Sequence, residues 1–113
     1  MGDQTARYAS LTQRLVDSVL GTPGHTPSEL RRAALARAAR LGGPADGLPA
    51  PLAGYVDKVA LHAHQVTDDD LAAVQRAGSS EDAVFEITVA AALGAALARL
   101  DRGLAALRGE EPA

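Results

Sequence analysis

The stretch that decides the fold is Val66-Thr67-Asp68-Asp69-Asp70-Leu71-Ala72-Ala73-Val74-Gln75-Arg76-Ala77-Gly78-Ser79-Ser80-Glu81-Asp82-Ala83-Val84-Phe85-Glu86-Ile87, followed by a nearly unbroken apolar run to about Leu107. Two helix starts are written into it. Thr67 is a cap residue, and Asp68, Asp69 and Asp70 fill the next turn, where free N–H groups and the helix dipole favour carboxylates. Gly78 closes that short helix. Ser79 or Ser80 caps the next one, with Glu81 and Asp82 in its first turn. From Val84 to Leu100 this last helix is apolar almost all round, which places it at the centre of a fold or in a subunit interface.

Working back towards the N-terminus, three more helices are expected. Leu52, Val56, Val59, Ala60 and Ala63 recur at helical spacing in a segment from Leu52 to Gln65. Before it, residues 42–51 are dense in Gly and Pro and read as a connector. Neither flank is large enough to fold alone, so residues 1–113 form one domain. An earlier helix opens with Thr26 as cap, Pro27 at the first helical position and Glu29 three residues after the cap. Leu30, Ala34, Ala38 and Leu41 form its buried face, Arg31, Arg37 and Arg40 are solvated, and Gly42-Gly43 closes it. The first helix runs from about Gln4 to Leu20, with Tyr8, Leu11, Leu15, Val16, Val19 and Leu20 as its apolar face, and stops at Gly21. No alternating pattern suggests a strand. The expectation is an all-α, five-helix subunit with a long apolar C-terminal helix.

Composition narrows the function. The chain has 113 residues, 47% hydrophobic but only 3% aromatic, so Ala, Leu and Val build the core. Small side chains let helices approach closely but bury little area each, which makes self-association a natural source of further burial. A net charge of −3 carries no footprint for nucleic acid. The ten arginines and single lysine, Lys58, read as a base-composition skew. The absence of cysteine excludes disulfides, thiolate metal sites and thiol redox chemistry. Ile87 to Ala98, the longest apolar run, is too short to span a bilayer, and no secretory leader pattern opens the chain. A cytoplasmic protein without membrane or nucleic-acid partners is the expectation.

Four residues stand out as candidate chemistry. Tyr55, Lys58 and His62 fall on one helical stripe and offer a phenol, an ammonium and an imidazole. Such a stripe can bind an anion or move a proton, or it is simply an exposed or interfacial polar face. Glu86 sits in apolar surroundings, where a carboxyl can be pushed up into the range of a general acid or base. It could equally lie on a rim or pair with an arginine. His62 and His64 point about 200° apart on a helix and cannot share a metal. The Asp68–Asp70 run lacks the ligand spacing of a calcium loop. Thr88 is expected to bond back into its own helix. His25 is a turn residue. Arg99 and Arg102 complement the last helix's dipole or hold a carboxylate. No metal or cofactor is implied.

Val66–Leu71, Ala77–Asp82, Phe85-Glu86-Ile87 and the Ala-rich helix ending Arg102-Gly103-Leu104, with the preceding Tyr55–His64 helix, resemble the carboxymuconolactone decarboxylase and AhpD-like alkylhydroperoxidase superfamily. The resemblance covers the C-terminal half. It implies an all-α fold that assembles into trimers, hexamers or related oligomers. Peroxidase members use a Cys-x-x-Cys pair with a His and a Glu. This chain can supply no such pair, and the helix opening Thr26-Pro27-Ser28-Glu29 stands where a redox helix would be expected. Decarboxylase members need neither thiol nor metal. The resemblance leads to a cysteine-less homo-oligomer that binds a small organic ligand, with proton transfer or decarboxylation at Tyr55, Lys58, His62 and Glu86. The alternatives are a non-catalytic scaffold or partner-binding protein, and a thiol-independent peroxidase-related protein.

Overall fold

A computed structural model describes residues 2–40 and 47–109, with side chains from residue 6 onward. Among these residues the fold is five α-helices and one short 3₁₀ turn, without strands. Helix α1 spans Gly2–Gly21, α2 Ser28–Arg40, α3 Ala50–His62, α4 Asp68–Arg76 and α5 Glu81–Leu107; the 3₁₀ turn, Ala63–Gln65, joins α3 to α4. The expected five-helix architecture is therefore present. Leu41, Gly42 and Gly43 lie outside the described residues.

The two capped starts form as the side-chain chemistry dictates. The Thr67 hydroxyl accepts from Asp70 N, and the Asp70 carboxylate accepts from Thr67 N, a reciprocal capping box. Ser80 caps α5 by accepting from Ala83 N. Between them Gly78 takes φ +117°, a left-handed conformation that glycine adopts without strain. The start of α2 differs from expectation. The Pro27 carbonyl accepts from Leu30 and Arg31, which makes Pro27 the half-in residue before the helix. The Thr26 hydroxyl is directed elsewhere, to Glu86. Helix α3 begins at Ala50, inside the expected connector, with Pro51 in its first turn where no N–H is needed.

Helices α2 and α5 form the centre of the core. Ala34 and Ala38 on α2, and Ala90, Ala91 and Ala95 on α5, are buried, and α3 adds Leu52, Val56, Val59 and Ala60. Small residues bring the α2 and α5 backbones together. A Cβ placed on Gly94 would collide with the Leu35 backbone carbonyl. Across this core the Arg37 guanidinium makes two 2.6 Å bonds to Asp57. Asp57 hydrogen-bonds and attracts Arg37, and together these outweigh desolvation and hold the guanidinium more firmly protonated. Arg37 is thus not a solvated arginine.

Helix α1 is packed more lightly. Leu20 is buried, but Tyr8, Leu11 and Leu15 remain about half exposed, so much of its expected buried face is open. Tyr8 and Thr12 share a cleft with Leu100 and Leu104, and Val19 shares one with Phe85 and Val89. Helix α1 therefore runs antiparallel along α5.

Helix α5, at 27 residues, is long and apolar enough by length and composition to cross a membrane, and one-third of its most apolar window is buried within the fold. The apolar run Ile87–Ala98 is shorter than the helix, because Glu86 and Arg99 interrupt composition but not helical geometry.

Candidate functional site

The four residues singled out by sequence are not all brought together. Tyr55 is buried on α3, and its hydroxyl lies 2.5 Å from Thr88 Oγ1 on α5. Thr88 spends its own proton on the Val84 carbonyl at 2.7 Å, as expected for an intrahelical threonine. Tyr55 is therefore the donor. Lys58 forms a 2.7 Å ion pair with Asp70 and so ties α3 to α4. Lys58 donation is the largest influence on Asp70 and, with the Thr67 contacts, holds its carboxyl below the usual range. His62 and His64 are exposed. Tyr55 and Lys58 share a cavity of about 250 Å³ with Asp70; His62 does not line it.

Glu86 lies on the other side of α5 from Thr88, since residues two apart on a helix diverge by about 200°. Its Oε2 accepts from His25 N at 2.6 Å, and its Oε1 accepts from Thr26 N at 2.8 Å and from the Thr26 hydroxyl at 2.6 Å. Gly24 makes this possible, because a Cβ there would lie 2.5 Å from Glu86 Oε2. Burial pushes the Glu86 carboxyl up. The Thr26 hydroxyl, the His25 and Thr26 N–H groups and the nearby His25 ring together outweigh it and leave the group below its usual range. The expected rise does not occur, because three donors reward the anion. Glu86 is a clamp for the α1–α2 turn. His25, in that turn, places Nε2 3.5 Å from Asp82.

Two features escaped the sequence reading. Arg31, expected in solvent, is 5% exposed. Its Nη1 donates to the Val19 carbonyl at 2.8 Å, near the C-terminus of α1. Its Nε makes no hydrogen bond within the protein. The helical spacing carried the signal: Arg31 stands three and seven residues before Ala34 and Ala38 on one face of α2, and Arg32 lies about 100° further round. Arg99 likewise serves another helix, donating to the Ala60 carbonyl near the end of α3 at 2.8 Å, and does not complement its own helix end.

A cavity of about 400 Å³ beside Tyr55 is lined by Val66, Leu71, Val84 and Phe85, with Tyr55, Thr88, Gln75 and Glu81 as its polar members. A second cleft of about 290 Å³ lies between α1 and α5, beside Arg31 and Glu86. Among the described residues no group of three or more His, Cys, Asp or Glu side chains is placed to hold a metal.

The outward face of α5 is a long apolar stripe. Phe85, Val89, Ala92, Ala96, Leu100, Gly103 and Leu107 recur every three or four residues, and all are exposed. Phe85 is 68% and Leu107 80% exposed. This stripe lies opposite the buried Ile87, Ala91 and Gly94, and the half-exposed Tyr8 of α1 shares a cleft with its Leu100. Comparison with protein-family models, curated proteins and solved structures gives no match.

Proposed function

We propose that this chain is a non-catalytic, self-associating helical subunit that docks through the outer face of α5. The observation that carries this reading is the unbroken exposed stripe from Phe85 to Leu107. A soluble surface rarely carries so long an apolar stripe without a partner. The chain also exposes 7066 Å², against roughly 5,800 Å² for a compact monomer of this mass.

A second copy fits the stripe. In an antiparallel pair with a two-fold axis at Ala96, Phe85 meets the partner's Leu107, Val89 meets the partner's Gly103, and Ala92 meets the partner's Leu100. Large faces small at two of these layers, as close helix packing requires.

The resemblance to the carboxymuconolactone decarboxylase and AhpD-like superfamily belongs to this proposal, with the chain as a member that kept the oligomeric framework without the redox pair. Catalysis at Tyr55, Lys58, His62 and Glu86 receives no support from geometry, since each is committed to another partner or faces solvent. A second reading, binding of a small apolar ligand, is favoured by the cavity of about 400 Å³ with the Tyr55–Thr88 pair in its wall.

The test uses the absence of native cysteine. Ala96→Cys, on the proposed axis, should give a disulfide-linked dimer in air, whereas Ala36→Cys on the exposed side of α2 should not. Sedimentation equilibrium should show a dimer or a higher assembly built from it, and Ala96→Glu should weaken association at least about tenfold while circular dichroism stays helical. A strict monomer at high concentration, or a monomer recruited to lipid vesicles through this stripe, would overturn the reading.

A further inference from the structure

We infer that the cleft between α1 and α5 is a binding site for a small monocarboxylate with an apolar body, held by Arg31. This does not rest on self-association. Arg31 is 5% exposed, and among the described residues its one hydrogen bond runs from Nη1 to the Val19 carbonyl. Among the described residues no carboxylate lies within ion-pair distance of it. The α1 C-terminus offers compensation equivalent to only about half a charge. A buried cation left so incompletely paired is costly, and an arriving anion would relieve that cost.

The cleft beside it has the size and lining such an anion needs. It encloses about 290 Å³ and is walled by Val19, Pro23, Phe85 and Val89, with the hydroxyl-bearing Ser18 and Thr22 at its edge. A carboxylate is the planar acceptor that matches a guanidinium fork. The apolar walls select an organic body over a bare ion. Glu86 also lines the cleft, and its carboxylate stays ionised because it already accepts from His25 and Thr26. A fixed negative charge there penalises a doubly charged anion. The site therefore favours an aromatic or branched aliphatic monocarboxylate over inorganic phosphate.

Titration of the ¹⁵N-labelled chain with benzoate, followed by amide shifts, tests this directly. Residues 18–24, 31 and 85–89 should move together and saturate. Arg31→Met, which keeps the apolar stem and removes the guanidinium, should weaken binding at least about tenfold. Arg40→Met, on an exposed position of the same helix, should leave it within about twofold. Because Arg31→Met could perturb folding, Ser18→Trp is the companion variant. It fills the cleft mouth from an exposed position and should abolish saturation with the fold intact. Inorganic phosphate should bind at least about tenfold more weakly than benzoate. Absence of saturable shifts at these residues, benzoate binding that survives both Arg31→Met and Ser18→Trp, or phosphate binding as well as benzoate would each overturn the inference.

Discussion

The inner and outer faces of α5 have nearly the same chemistry and opposite fates. Ile87, Ala90, Ala91, Gly94 and Ala95 face α2 and α3 and are buried. Phe85, Val89, Ala92, Ala96, Leu100 and Gly103 face outward and are exposed. The hydrophobic effect acts equally on both sets, since it scales with apolar area and has no direction. What separates them is shape. The inner face is small at Ala90, Ala91 and Gly94, so the α2 backbone can approach it; the outer face carries Phe85 and Leu100 and stays exposed. An all-round apolar helix is therefore two surfaces, one filled by the chain itself and one left exposed.

The sharpest way to break this comparison is to truncate each face. Ile87 is 1% exposed, and Ile87→Ala should cost about 3–4 kcal/mol in urea unfolding. Val89→Ala, measured on the monomeric species, should cost under about 0.5 kcal/mol. Comparable losses in that species would mean that the two faces are equally packed.

The two glycines of α5 sharpen the contrast next. Gly94→Ala should destabilise by about 2–3 kcal/mol, because the new methyl meets the Leu35 backbone carbonyl and not a flexible side-chain end. Thermal unfolding of that single variant reads the effect. A neutral result would show that α2 and α5 can separate at little cost.

Glu86 sits at the boundary between the faces and should give an intermediate effect. Glu86→Ala strands the N–H of the buried Thr26 and should cost about 1–2 kcal/mol. Its pH dependence has a defined sign. The folded-state value lies below the ordinary one, so the folded chain binds this proton less readily than the unfolded chain. The stabilisation is fully present above the ordinary glutamate value and is lost as pH falls through the folded-state value. Asp70, lowered mainly by Lys58, contributes with the same sign. Acid titrations of stability should show a shallower limb for Glu86→Gln than for the native chain.

The smallest effect is expected on the outer face. A Cβ on Gly103 meets nothing within 4 Å. Gly103→Ala should stabilise the monomer by about 0.5–1 kcal/mol through helix propensity alone. In the dimer proposed above, the same methyl presses on the partner's Val89, so the variant should be more stable as a monomer yet associate more weakly. Sedimentation and thermal unfolding on one sample distinguish these effects.

Much of the fold was legible because its signals are local. Thr67, Asp70, Gly78 and Ser80 act within one turn of the backbone, and each does what its side chain dictates. Thr88 bonding back to Val84 is local in the same sense. The candidate site was less legible because its contacts join distant parts of the chain. Glu86 was read through its apolar neighbours, yet its protonation is governed by His25 and Thr26, some sixty residues earlier. Arg31 shares a helical face with Ala34 and Ala38 and Arg32 does not, but the burial of its guanidinium depends on how α1 packs against α2.

By itself, then, the sequence determined an all-helical chain, the places where helices start and stop, and the absence of thiol chemistry, since these follow from propensity, capping and composition. Only the tertiary structure decided which face of α5 is core, which arginine is buried, and that Tyr55, Lys58, His62 and Glu86 do not form one site. Those outcomes depend on how closely helices approach and cross, and that is set by the joint packing of many side chains, which no single position encodes.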